Sequence, residues 1–193
     1  MPSQIFKNLS RNYSTPKQVQ GFIRQLKYNS KATLSSAKRA RQLKTAHCME
    51  AAFLAAAILE QRKWPPLIVS IESWDDLDHV VFAFKQKGLW GAIGRSRDDG
   101  LQGRQPVFRS IRDLVFSYMD PYVDGSGRIT GYLLSHLDDS KADWRFSERN
   151  VWKAERCLND TTHHQLVSSE ARYQKALRRF KTHGSHLKQS YWW

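Results

Sequence analysis

The longest apolar run in the chain covers Cys48 to Leu59, where Glu50 is the only charged residue. A helix that is apolar on nearly every face belongs inside a core. This one is too short to cross a bilayer, which takes about 20 apolar residues. The pattern predicts a helix from Thr45 to Arg62 with Thr45 as N-cap, so that Ala46, His47 and Cys48 occupy the first turn. Trp64-Pro65-Pro66 ends it, because proline cannot continue a helix and restricts the residue before it.

The rest of the chain reads as elements around that helix. Residues 1–14 read as an irregular arm. Thr15-Pro16 opens a helix carrying Val19, Phe22, Ile23 and Leu26 at helical spacing. Ala37 to Lys44 is basic, either a short helix or an ordered loop. Leu67 to Ile71 and His79 to Phe84 read as buried strands flanking an acidic loop. A turn over Lys85 to Gly88 makes Leu89 to Ile93 the antiparallel partner of the second strand. A charged, glycine-rich loop follows over 94–105, and Pro106 to Phe108 adds a short strand. Ser110 with Asp113 starts a helix through Met119. Asp124 to Gly127 is a turn, and Ile129 to Leu137 another strand. Ser147 caps a further helix, and a basic last helix begins near Ser168 with Tyr173, Leu177 and Phe180 on one stripe. Residues after His183 are expected to be poorly ordered unless Tyr191-Trp192-Trp193 docks in a groove. The fold class is α+β: an antiparallel sheet packed on one central buried helix, with flanking helices. The division is an arm and helix over 1–36, a core over 37–140 and a helical extension over 141–193.

Composition adds constraints. With 40% hydrophobic and 25% charged residues, the chain reads as soluble and globular. A net charge of +13 favours solubility and acidic partners, nucleic acid among them. Two cysteines, Cys48 and Cys157, make no disulfide framework, which points to a reducing, cytoplasmic setting. The N-terminus lacks the apolar core of a signal peptide. No Gly-Lys-Ser/Thr phosphate loop occurs, Cys157 with His163 and His164 lacks zinc-site spacing, and Asp120 to Gly125 lacks alternating carboxylates, so no cofactor is expected.

Chemistry concentrates at Cys48. A helix N-terminus favours a thiolate, the nucleophilic form. His79 opens an apolar strand directly after the acidic loop, where a general base can face a cleft. His47 is read as unable to pair with Cys48, since helical neighbours point about 100° apart. For the group that orients His79, hairpin register favours Ser96, while Asp98 or Asp99 would be the stronger partner; Asp75 and Asp76 remain open. Gln42, six residues before Cys48, is a candidate donor to an oxyanion. The cleft is placed between the helix start and the His79 strand, bordered by Trp74, Trp90 and the 94–105 loop.

The series TAHCMEAAFLAAA, then DHVVFAF, then GLWGAI resembles the transglutaminase-like branch of the papain-like cysteine enzymes over roughly residues 40–120. It also resembles small bacterial proteins with a similar Cys-Met-Glu-Ala-Ala, Asp-His-Val-Val and Trp-Gly-Ala-Ile series. The resemblance implies acyl transfer or amide hydrolysis through a thioester on Cys48, with His79 as base and a peptide, protein or small amide as substrate. The family's aspartate follows the tryptophan by a few positions, and here Gly94 stands there. The alternative is a non-catalytic binding module whose basic helices (Lys38, Arg39, Arg41; Arg172, Lys175, Arg178, Arg179) contact an acidic partner such as nucleic acid.

Overall fold

Met49 is 4% exposed and Ala52, Phe53, Ala56 and Leu59 are at 0%, so the long apolar segment is a helix enclosed on all sides. The computed structural model describes residues 2–74, 78–119, 128–183 and 192–193. In chain order its elements are helix α1 (Pro2–Asn12), α2 (Pro16–Arg24), strand β1 (Lys27–Tyr28), α3 (Ala37–Leu43), β2 (Thr45–Ala46) and α4 (Cys48–Leu59). There follow β3 (Leu67–Ser73), β4 (His79–Gln86), β5 (Leu89–Ile93), β6 (Arg104–Phe108) and α5 (Ile111–Met119). The chain closes with β7 (Ile129–His136), α6 (Trp152–Asn159), β8 (His164–Gln165) and α7 (Glu170–His183).

The arrangement is α+β. Six strands form one antiparallel sheet in the order β6-β5-β4-β3-β7-β8. Lys87 and Gly88 both take positive φ, 51° and 82°, which gives the two-residue hairpin turn whose twist matches its strands. That turn fixes the register Gln86↔Leu89 through Phe82↔Ile93. Alternation along β4 then sends Val80, Phe82 and Phe84 toward α4. Val81 and Ala83 face a second layer, where α5 supplies Leu114, Val115 and Tyr118. The sheet is therefore covered on both faces rather than packed on one central helix alone. On its far side α4 is covered by α1, α2 and α3. One hydrophobic cluster runs from Phe6 and Leu9 through Phe53 to Trp144 and Leu158, so the outer helices share the core with the centre of the chain.

Several sequence expectations are corrected. Residues 2–12 are helical, because Phe6 and Leu9 give α1 a stripe to bury against α4. Ser147 makes a local turn, its hydroxyl taking the Arg149 N–H, and α6 starts only at Trp152 after an uncapped Val151. The expected turn at Asp124 to Gly127 and the chain from Gly184 to Tyr191 lie outside the described residues. The docking alternative for the terminus holds at its last two residues. Trp192 is 7% exposed and bridges to Arg104 on β6, its carbonyl accepting from Gln105 Nε2 at 2.6 Å. Trp193 Nε1 donates to the Ala92 carbonyl at 3.2 Å. No helix among the described residues is long and apolar enough to cross a membrane.

Candidate functional site

Three local features set the position of Cys48. Lys44 ends α3 in the left-handed conformation, φ 55°, and turns the chain back. Thr45-Ala46 then pairs in parallel with Lys27-Tyr28, so Thr45 lies in a strand and is not the cap. His47 is the N-cap of α4, with extended backbone at φ −88° and ψ −174°. Its Nδ1 accepts the Met49 N–H at 3.3 Å, and its Nε2 lies 2.8 Å from the Thr33 carbonyl. Because His47 is outside the helical spiral, the angular argument against its pairing with Cys48 does not apply: its ring lies beside the thiol. Cys48 is the first residue of α4 and is half-buried.

Glu50 completes the helix start. It is fully buried, and its Oε2 accepts the His47 N–H at 3.0 Å, the return half of a capping box. The same carboxylate accepts from Asn29 Nδ2 at 2.9 and 3.1 Å and from the Ser35 N–H at 2.7 Å. A buried charge with this many donors is compensated where it stands. It also ties the 29–35 loop to the helix that carries Cys48. The signal for this role was present in the sequence, as a lone acid at the third helical position of an otherwise apolar helix.

His79 is the first residue of β4 and is 3% exposed. Its Nε2 lies 2.9 Å from the Leu101 carbonyl, and its ring stands edge-on to Tyr118 at 5.7 Å. At this level β5 has already parted from β4, whose pairing with it begins at Phe82. His79 occupies that gap at the end of the sheet, near enough to Cys48 to lower the thiol's pKa. The group found against Nε2 is thus a backbone carbonyl and none of Ser96, Asp98 or Asp99. Ser96 is buried but turned inward on its own loop, its hydroxyl taking the Asp98 N–H at 3.2 Å. Asp98 is half-buried and Asp99 exposed, in and beside the 3-10 turn that presents Leu101. Asp75 and Asp76 lie outside the described residues. Gln42 is exposed near the end of α3 and does not line the cavity at Cys48.

The electrostatics favour the thiolate. Burial alone would push the Cys48 thiol up, but hydrogen bonds from His47 and His79 and their positive charge bring it down to about 5. The converse holds for His47. Burial would lower it, but the hydrogen bond and charge of Cys48, with Glu50 and the Thr33 carbonyl, raise it to about 9. Tyr28 is raised, first by burial and then by the Cys48 charge, with Arg97 and Arg95 opposing.

Cys48 opens on a cavity of about 650 Å³. Its walls are Tyr28 and the 29–33 loop, His47 and Met49, Ser70 and Val80 of the sheet, Arg97, and Trp152, Glu155 and Leu158 of α6. The tryptophan of this wall is thus Trp152, with Tyr28 as a second aromatic ring. Trp74 is 69% exposed, and Trp90 packs with the α5 side of the sheet. The sequence reading missed Tyr28, His47, Glu50 and Trp152. Among the described residues no group of three or more His, Cys, Asp or Glu side chains is placed to hold a metal. No protein-family model matches this chain, and no curated protein matches it.

Proposed function

We propose that the protein is a cysteine-dependent acyl-transfer enzyme or amidase that works through a thioester on Cys48. The observation that carries the reading is a thiol on the first residue of a buried helix, opening on a cavity, with two imidazoles beside it. Each ring has its Nε2 on a backbone carbonyl, Thr33 for His47 and Leu101 for His79. Donating Nε2–H there leaves Nδ1 of His79 as the nitrogen that exchanges a proton with sulfur.

The reaction follows from this layout. The thiolate attacks the carbonyl carbon of an amide or ester, forming a C–S bond. The carbonyl oxygen takes the displaced electron pair and faces the positive end of the α4 dipole. As the tetrahedral centre collapses, the leaving amine takes its proton from His79, and the thioester remains on Cys48. Water or an acceptor amine, deprotonated by His79, then displaces the thiolate. His47, held by the buried Glu50, stays as the cation that keeps sulfur charged. The resemblance to the transglutaminase-like cysteine enzymes supports the same reading.

The test is covalent. An activated ester or amide mixed with the full chain should add one acyl mass, located to Cys48 by peptide mapping and absent in Cys48→Ala. Iodoacetamide at pH 6 should modify Cys48 well before Cys157, the internal reference. Equal modification of the two thiols with no acyl adduct would end the proposal.

A further inference from the structure

A second charged feature lies on the opposite layer of the molecule. Arg112 of α5 and Arg172 of α7 both lie over the ring of Phe116, with guanidinium carbons 4.5 and 4.3 Å from its centroid. Two like charges are therefore held on one ring. Both side chains are exposed, and among the described residues neither guanidinium has a hydrogen-bond acceptor or an ion-pair partner. The nearest acid on α5, Asp113, is engaged by the Ser110 hydroxyl at 2.7 Å. A guanidinium stacked on a ring keeps its in-plane N–H donors directed outward. Here they border a cavity of about 550 Å³ that also holds the hydroxyl residues Ser168 and Ser169.

The charge continues along α7. A second cavity, of about 420 Å³, shares Arg172 and adds Lys175 and Arg179, with Ala171 and Ala176 as its other lining among the described residues. Arg172 to Arg179 spans two helical turns, about 10 Å. The two hollows thus form a cationic track in which Asp113 is the single acid among the described lining residues.

We propose that this α5–α7 face binds the phosphodiester backbone of a nucleic acid, independently of sequence. Guanidinium forks fit phosphate oxygens, and a track of successive cationic hollows fits a chain of repeating charges. An acidic protein would need an apolar centre to its interface. This face offers little: Phe108 is half-buried, Phe116 is covered by the two arginines, and Val167 is the exposed apolar residue among the described lining residues. The chain's +13 charge supplies long-range attraction in the same direction.

The test uses the full chain and fluorescently labelled random-sequence oligonucleotides, single-stranded and duplex, in anisotropy titrations across salt concentration. Each phosphate contact contributes roughly 0.7–0.9 to the slope of log affinity against log salt. Arg112→Gln/Arg172→Gln should flatten that slope by about 1.5 and weaken binding roughly tenfold or more at low salt. Lys7→Gln/Lys17→Gln, which removes the same charge from exposed sites on α1 and α2, should leave the slope unchanged. Cys48→Ala should bind as the parent does, which keeps this result separate from the acyl-transfer proposal. Equal losses from the two double variants, or no oligonucleotide binding at low salt, would overturn the assignment. Tighter binding of poly-glutamate than of either oligonucleotide would overturn it in favour of an acidic protein.

Discussion

The two histidines at Cys48 are anchored alike and built differently. Each places Nε2 against a backbone carbonyl, at 2.8 Å for His47 and 2.9 Å for His79. His47 lines the open cavity, has a side chain 19% exposed and lies 3.8 Å from the buried carboxylate of Glu50. His79 is sealed at the end of the sheet against Tyr118. A ring with a carboxylate behind it suits a lasting positive charge. His79 is held by a neutral carbonyl instead. On the proposed reaction, His47 holds the thiolate and His79 moves the proton.

Removing Glu50 should break the comparison most severely. Glu50→Ala leaves the Asn29 amide and the Ser35 and His47 N–H groups without their acceptor, at about 3–5 kcal/mol of stability by denaturant unfolding. A loss below about 1 kcal/mol would mean that water replaces the carboxylate. Next in size are the histidines themselves. His79→Ala and His47→Asn should each raise the Cys48 pKa from about 5, read from alkylation rate against pH. Asparagine at 47 keeps a good N-cap, whereas His47→Ala should also lose about 1 kcal/mol of stability. A thiol pKa that moves with only one of the two rings would reduce the site to a simple pair.

The pH dependence of stability is a smaller effect. The contribution of Cys48 is present above the ordinary thiol value of 9.0 and is lost as pH falls through about 5. That of His47 is present below 6.5 and is lost as pH rises through about 9. Between about 5 and 6.5 the unfolded chain holds one more proton on this pair than the folded protein does, so stability should rise with pH. Above 6.5 the counts match and the pair's contribution should level off. Denaturation midpoints for the parent and Cys48→Ser across pH 5 to 8 would show whether that slope belongs to the pair. Smallest of all, Asp98→Asn and Asp99→Asn should leave the thiol pKa in place, because the Leu101 carbonyl is the group on His79. A rise after either change would restore a carboxylate to the site.

The sequence made α4 and the hairpin legible because burial and turn chemistry are local. An almost uncharged dozen residues can only be interior, and Lys87-Gly88 admits few turn types. Cys48 and His79 stood out because each opens its element. His47 did not, since Thr45 carries the stronger capping preference and only the β1–β2 pairing moves the helix start past it. Leu101 was illegible because any residue type can present a carbonyl. Tyr28 and Trp152 lie far from Cys48 in sequence, and packing of the outer segments alone brings them to the cavity.

His47 Nδ1 has a single lone pair and two neighbours that need it. In the neutral ring it receives the Met49 N–H and closes the end of α4. In the charged ring that nitrogen bears hydrogen and can no longer accept, so the Met49 N–H loses its partner. On the proposed reaction, that one proton turns the helix end from a stoppered mouth into a vacant seat for an oxygen anion.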